Sequence, residues 1–125
     1  METKKDLFRL EHILNSIEKI EELIRLLHSY DNFEIRWIER DALIRNFEII
    51  GEASNHISQN TKQKFPDVAW SEIKGMRNFI SHEYFGLQLD SVWDTAVNDI
   101  PILKTQIQHI IADLENENLG ESLFS

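Results

Sequence analysis

The sequence predicts an all-α, up-and-down helical bundle of four to five helices. Three observations carry this. Apolar residues recur at three- and four-residue steps along most of the chain. No segment alternates with the period of two that a half-buried strand needs. The connections between periodic segments are short, as antiparallel neighbours in a bundle require.

The first helix is predicted by Leu7, Leu10, Ile13, Leu14, Ile17, Ile20, Ile24 and Leu27, which fall on one face. Asp31 followed by Glu34 reads as a capping pair for the second. That helix carries Ile35, Ile38, Ala42, Phe47, Ile50, Ala53 and Ile57. Gly51 within it costs helix propensity and marks a close approach to another helix. The segment SQNTKQKFPDVAW reads as a connection, ended by Pro66 and restarted by Asp67 as N-cap. A third helix is expected from Val68 to Tyr84, with Gly86 able to end it. Asp90 opens a last helical region through about Leu114. Pro101 must kink or break it, because proline lacks the backbone donor and clashes with the preceding turn. Residues 1–115 are expected to form one domain and residues 116–125 a frayed tail.

Composition narrows the function. The 125 residues contain no cysteine, which excludes disulfides, thiolate zinc sites and a cysteine nucleophile. No apolar run nears the ~20 residues of a membrane span. The N-terminal METKKDLFRLEH lacks the apolar core of a signal peptide, so a cytoplasmic protein is expected. The net charge of −9 argues against a general nucleic-acid binder. Its distribution says more. Residues 1–35 carry 5 basic and 8 acidic groups, residues 36–77 carry 7 and 6, and residues 78–125 carry 1 and 8. Positive charge thus gathers before and within GMRNFISHEYFG, residues 75–86.

That stretch offers a guanidinium, an amide, a hydroxyl, an imidazole and a phenol on one short helix. At about 100° per residue, Asn78 and His82 share a stripe. Arg77, Ser81 and Tyr84 share the neighbouring one. An arginine and a histidine together suit phosphodiester chemistry. The imidazole moves the proton of an attacking or leaving oxygen. The guanidinium holds phosphoryl oxygens as their charge builds. Asn78 can fix the orientation of the imidazole. One histidine supplies half of an acid–base pair, and a symmetric dimer would supply the other half. Each residue taken singly also has a structural reading. Arg77 can pair with an acidic residue of the last helix, His82 can be a satisfied core histidine, and Tyr84 can sit at the rim of the core.

Other motifs are weaker. His82-Glu83 begins like HExxH, but Gly86 stands where the second ligand belongs. Glu52 and His56, one turn apart, suit a surface ion pair better than a metal site. His12, His28 and His109 show no ligand spacing. Trp37, Trp70 and Trp93 read as core or interface anchors. A metal-dependent hydrolase needs Glu-x-x-His pairs, and none occurs.

Arg77-Asn78, three residues, then His82-Glu83-Tyr84 resembles the R-x4-H-x-Y signature of the HEPN superfamily, and more narrowly that of HepT-type toxins. IRNFEIIGEAS (44–54), FPDVAWSEIKGMRNFISHEYFGL (65–87) and VWDTAVNDIPILKTQI (92–107) are similar to that family in the same order. The resemblance covers most of the chain, with no departure at Arg77, Asn78, His82 or Tyr84. It implies a HEPN-like, homodimeric endoribonuclease needing no metal or other cofactor, with Arg77 and His82 catalytic and Asn78 orienting His82. It also implies the toxin role in a type VII-like, HepT/MntA-type toxin–antitoxin pair. The partner would be a minimal nucleotidyltransferase antitoxin that transfers AMP to Tyr84. The alternative is a non-catalytic nucleotide-binding or scaffolding partner of such a nucleotidyltransferase.

Overall fold

In the computed structural model the backbone is described for residues 2–82 and 88–124, and the side chains for residues 2–77 and 88–120. The described residues form seven helices and no strand: α1 (Glu2–Leu27), α2 (Tyr30–Ile35), α3 (Trp37–Asn55), α4 (Gln59–Lys64), α5 (Trp70–His82), α6 (Leu89–Asn98) and α7 (Ile100–Phe124). This is the expected all-α bundle, with the short α2 and α4 added. Helix α1 packs against α3 and α7, α3 against α5, and α6 against α7. The apolar stripe of α1 is buried at Leu10, Ile13, Ile17, Ile20 and Leu27, and that of α7 at Ile100, Leu103, Ile107, Ile110 and Leu114. Both follow the alternating three- and four-residue steps of a helix that buries one face.

The element boundaries correct several expectations. Asp31 is not the cap of the second helix. Helix α1 ends on His28 at φ 68°, and the Ser29 hydroxyl accepts from the Asn32 N–H at 3.2 Å to start α2. The chain then breaks again at Arg36 before α3. The expected connection at 58–70 contains α4. Its N-cap Ser58 is fixed from α1, where the buried Asp6 carboxylate accepts from the Ser58 N–H (2.9 Å), the Ser58 hydroxyl (2.6 Å) and the Thr61 hydroxyl (2.6 Å). A carboxylate with three donors can be buried without an orphaned charge. Asp67 lies in a turn instead of capping α5. Val68 must first reach the core, and α5 starts at Trp70, whose indole N–H donates to the Phe65 carbonyl at 3.0 Å.

Pro101 breaks the last helical region instead of bending it. Helices α6 and α7 meet at Asp99, and Pro101 falls in the first turn of α7, where a missing N–H costs nothing. Helix α7 also continues past Leu114 to Phe124, with Glu117 tied to Lys64 at 3.0 Å. Trp70 and Trp93 pack against the core, the latter 5.3 Å from Phe33, whereas Trp37 is exposed.

Gly51 stands at the closest approach of α3 to α5. A Cβ built there would lie 3.0 Å from both the Cβ and the backbone nitrogen of Arg77, and 3.1 Å from the Ile73 carbonyl oxygen. These atoms belong to the α5 backbone or its first side-chain carbon, so α5 would have to move as a body. Alanine gains about 1 kcal/mol in helix propensity. Overpacking of this kind costs roughly 1–3 kcal/mol and should win. Gly51→Ala is therefore expected to lower the thermal midpoint by several degrees. A variant as stable as the parent would show that α3 and α5 are not locked here.

Candidate active site

Helix α5 carries Arg77, Asn78 and His82 on its last two turns. The side chains of Asn78 and His82 and the whole of Tyr84 lie outside the described residues, as do Gly86 and the predicted end of the helix near Tyr84. Arg77 is the motif residue with a described side chain, and its surroundings fix what this end of α5 faces.

The Arg77 guanidinium does not pair with the last helix. Its Nη1 donates to Glu52 Oε2 of α3 at 2.7 Å, one residue beyond the contact at Gly51. The other Glu52 oxygen lies 3.3 Å from His56 Nε2, one turn further along α3. Glu52 thus holds two cationic or proton-carrying groups, one on each side. The expected Glu52–His56 ion pair is present. Among the described residues, no group of three or more histidine, aspartate or glutamate side chains comes together as a metal site.

In the chain Arg77–Glu52–His56 the acid and the imidazole are exposed and Arg77 is partly exposed. Such solvent-screened pairs contribute little to stability. Their effect is positional: Glu52 keeps the guanidinium on the α3 side of α5. Hydrogen bonding from Arg77, then from His56, holds the Glu52 carboxyl below the usual carboxylate range. The sign follows. A depressed carboxylate favours the folded state above its unfolded pKa, and that contribution is lost as pH falls through the lower folded value. The pairing is complete at neutral pH.

Glu52 lines a hollow between α1 and α3 in which charges of both signs meet: Arg9 and Arg45, Glu48 and Glu52, with His12 and His56 beside them. On α4, Lys62 lies over the Trp70 ring at 5.9 Å, and its pKa is lowered by partial burial and by the like charge of Lys74. Lys74 is one turn before Arg77 on α5.

A site-specific titration tests the pairing. The Glu52 carboxyl should titrate below the ordinary carboxylate range in the parent and move upward in Arg77→Ala, followed by the carbon-13 shift of the carboxyl group. A midpoint unmoved by Arg77→Ala would mean that the guanidinium is not held there in solution.

Comparison with known proteins shows the family to which the chain belongs. The family model described as ribonuclease HepT-like matches residues 13–110. A Methanocaldococcus jannaschii protein, named as a gamma-glutamylcyclotransferase and candidate RNase, is 37% identical over 117 residues, covering 93% of this chain and 52% of that protein. The chain thus spans about half of that relative. A candidate RNase of Caldanaerobacter subterraneus subsp. tengcongensis is 36% identical over 102 residues, 82% of this chain and 90% of the relative. A Thermococcus cleftensis protein named "Probable ribonuclease HepT" is 38% identical over 101 residues, 81% of this chain and 91% of the relative. No solved structure matches. With 98 consecutive residues matched by the family model, from within α1 into the first half of α7, the chain belongs to the HepT-like ribonuclease family.

Proposed function

We propose that this chain is a metal-independent endoribonuclease acting as the toxin of a type VII-like toxin–antitoxin pair. The observation that carries the reading is the spacing of Arg77 and His82 on α5 in a chain of this family, with the Arg77 guanidinium held beside α5 by Glu52. The substrate class is taken from the relatives named as ribonucleases.

The reaction is transesterification. The RNA 2′-oxygen attacks the adjacent phosphorus and the bond from phosphorus to the 5′-oxygen breaks. A 2′,3′-cyclic phosphate and a 5′-hydroxyl result. One imidazole takes the 2′-hydroxyl proton and another donates a proton to the leaving 5′-oxygen. A homodimer pairs His82 with the partner subunit's His82 for these two roles. Arg77 compensates the charge on the phosphoryl oxygens, and Asn78 orients His82. At rest Glu52 accepts from Nη1 of the guanidinium, so a phosphate that grips both terminal nitrogens takes over that one donor. Arginine suits this exchange, because its planar fork binds carboxylate and phosphate alike.

Regulation follows from the same exchange. Tyr84 is the proposed acceptor of AMP from a minimal nucleotidyltransferase antitoxin. An AMP phosphate on the motif tyrosine would compete for Arg77 and take the place of the RNA phosphate.

Arg77→Ala and His82→Ala should each abolish cleavage of RNA by the purified dimer, in the presence of EDTA as in its absence. Arg77 is partly exposed and its pair with Glu52 is screened by solvent, so Arg77→Ala should stay folded by circular dichroism. Cleavage at the parent rate by both variants would refute the assignment and favour a non-catalytic partner of the nucleotidyltransferase.

Tyr84→Phe should keep most of the cleavage activity but escape neutralisation when incubated with the nucleotidyltransferase and ATP. Intact mass should show AMP additions on the parent and none on the variant. Neutralisation of Tyr84→Phe to the parent's extent would exclude Tyr84 as the switch.

A further inference from the structure

The fragment of surface between the N-terminal half of α1 and the C-terminal half of α3 is a second concentration of positive charge. Two hollows lie there. One is lined by Lys4, Lys5, Phe8, Arg9 and His56, and the other by Arg9, His12, Arg45 and His56 with Glu48 and Glu52. Because Arg9 and His56 line both, the two hollows adjoin, and together they form the α1–α3 groove. On α1, Lys5, Arg9 and His12 fall within about 60° of one another, with Phe8 beside them. The groove ends at Glu52, whose other oxygen already binds Arg77.

Its acids and its bases are not equivalent. Glu48 is committed to Arg45 at 2.7 Å, and Glu52 to Arg77 and His56. Lys4, Lys5 and Arg9 have no acidic partner within salt-bridge distance among the described residues. Three cations without a salt bridge among the described residues thus line these hollows, on a protein whose net charge is −9. Among them Phe8 is exposed. Its ring lies 5.1 Å from that of His12, and the Arg9 guanidinium is 5.6 Å from its centroid. A basic groove with an exposed aromatic is the pattern that receives a single strand: cations follow the phosphates and a base stacks on the ring.

We propose that the α1–α3 groove is the path along which single-stranded RNA reaches Arg77. Phosphates run past Lys4, Lys5 and Arg9, and one unpaired base stacks on Phe8. The proposal rests on the ribonuclease reading above and adds the substrate's form and its route. It explains how an acidic protein engages a polyanion: the attraction is local, and the acids in the groove are internally paired. Duplex RNA is excluded from the stacking position, because its bases are not free to leave the helix.

The test is binding and cleavage of a fluorescent 12-nucleotide single-stranded RNA by the full-length dimer. Affinity is measured by anisotropy across a salt series with His82→Ala as the common background, and cleavage is measured separately with His82 present. Removing Lys4, Lys5 and Arg9 together (K4Q/K5Q/R9Q) should raise Kd about tenfold or more at 0.1 M salt. The slope of log K against log salt should fall by about 2, since each phosphate contact to a single strand contributes roughly 0.7. Phe8→Ala should raise Kd about fivefold or more with the slope unchanged, as loss of stacking predicts. A charge-matched control, R25Q/R36Q/K64Q, removes three cations outside the groove and should leave both quantities near the parent's.

If the parent cleaves RNA but the groove variant keeps the parent's Kd and slope, the route is wrong and the ribonuclease reading stands. If the control weakens binding as much as the groove variant, net charge and not the groove is responsible, and the proposal fails. If the parent neither binds nor cleaves RNA, both readings fall. Equal affinity for a blunt duplex of the same length would overturn the single-strand assignment.

Discussion

The contact between α3 and α5 at Gly51 sets where Arg77 stands against α3. Side chains ordinarily hold helix axes 8–10 Å apart. A residue without a Cβ lets the Arg77 backbone and the Ile73 carbonyl come within van der Waals reach of α3. Glu52, the next residue on α3, then meets the Arg77 guanidinium, and His56 closes the chain from the following turn. The packing and the polar chain are therefore one feature. The glycine admits α5, and the acid beside it fixes where the first residue of the motif points. The remaining packing supports this arrangement: α1 lies against α3 on one side and α7 on the other, with Asp6 anchoring the segment between α3 and α5 through Ser58 and Thr61.

Charge in this protein has to be read locally. The strong overall acidity argues against polyanions, yet most of it lies in the C-terminal third of the sequence. Screening over about 10 Å at 0.1 M salt limits how far those carboxylates reach. At the α1–α3 groove the acids are bound to neighbouring bases, and the basic side chains of α1 are not. The same logic applies to Arg77. Its resting partner Glu52 neutralises it without burying it, so the guanidinium remains available for exchange with a phosphate.

Much of the fold was legible because α1 and α7 obey a strict helical period and bury the residues that the period selects. Gly51 was legible as a close approach because a glycine inside a helix costs stability unless a neighbour needs the space. The motif on α5 could be read from residue types and spacing. What escaped was decided by tertiary contacts. Ser58 became a cap because Asp6, 52 positions earlier, accepts its protons, and nothing near Ser58 signals that. Asp67 lost the cap it suits because Val68 is drawn into the core first. Arg77 found its acid on α3 and not on the last helix, since the choice depends on which helix Gly51 admits. The α1 groove was illegible because Lys4, Lys5 and Arg9 gain meaning only beside His56, which folding brings to them.

The central claim is that the α3–α5 contact positions Arg77 for cleavage. It is tested most directly by single-turnover cleavage of a defined oligoribonucleotide by Gly51→Ala, at a temperature where parent and variant are both fully folded. Gly51 touches no substrate in this account, so any effect must pass through the placement of α5. A displacement near 1 Å can cost up to about a hundredfold in rate, and the account predicts a loss of about tenfold or more. A folded Gly51→Ala variant that cleaves at the parent rate would contradict it.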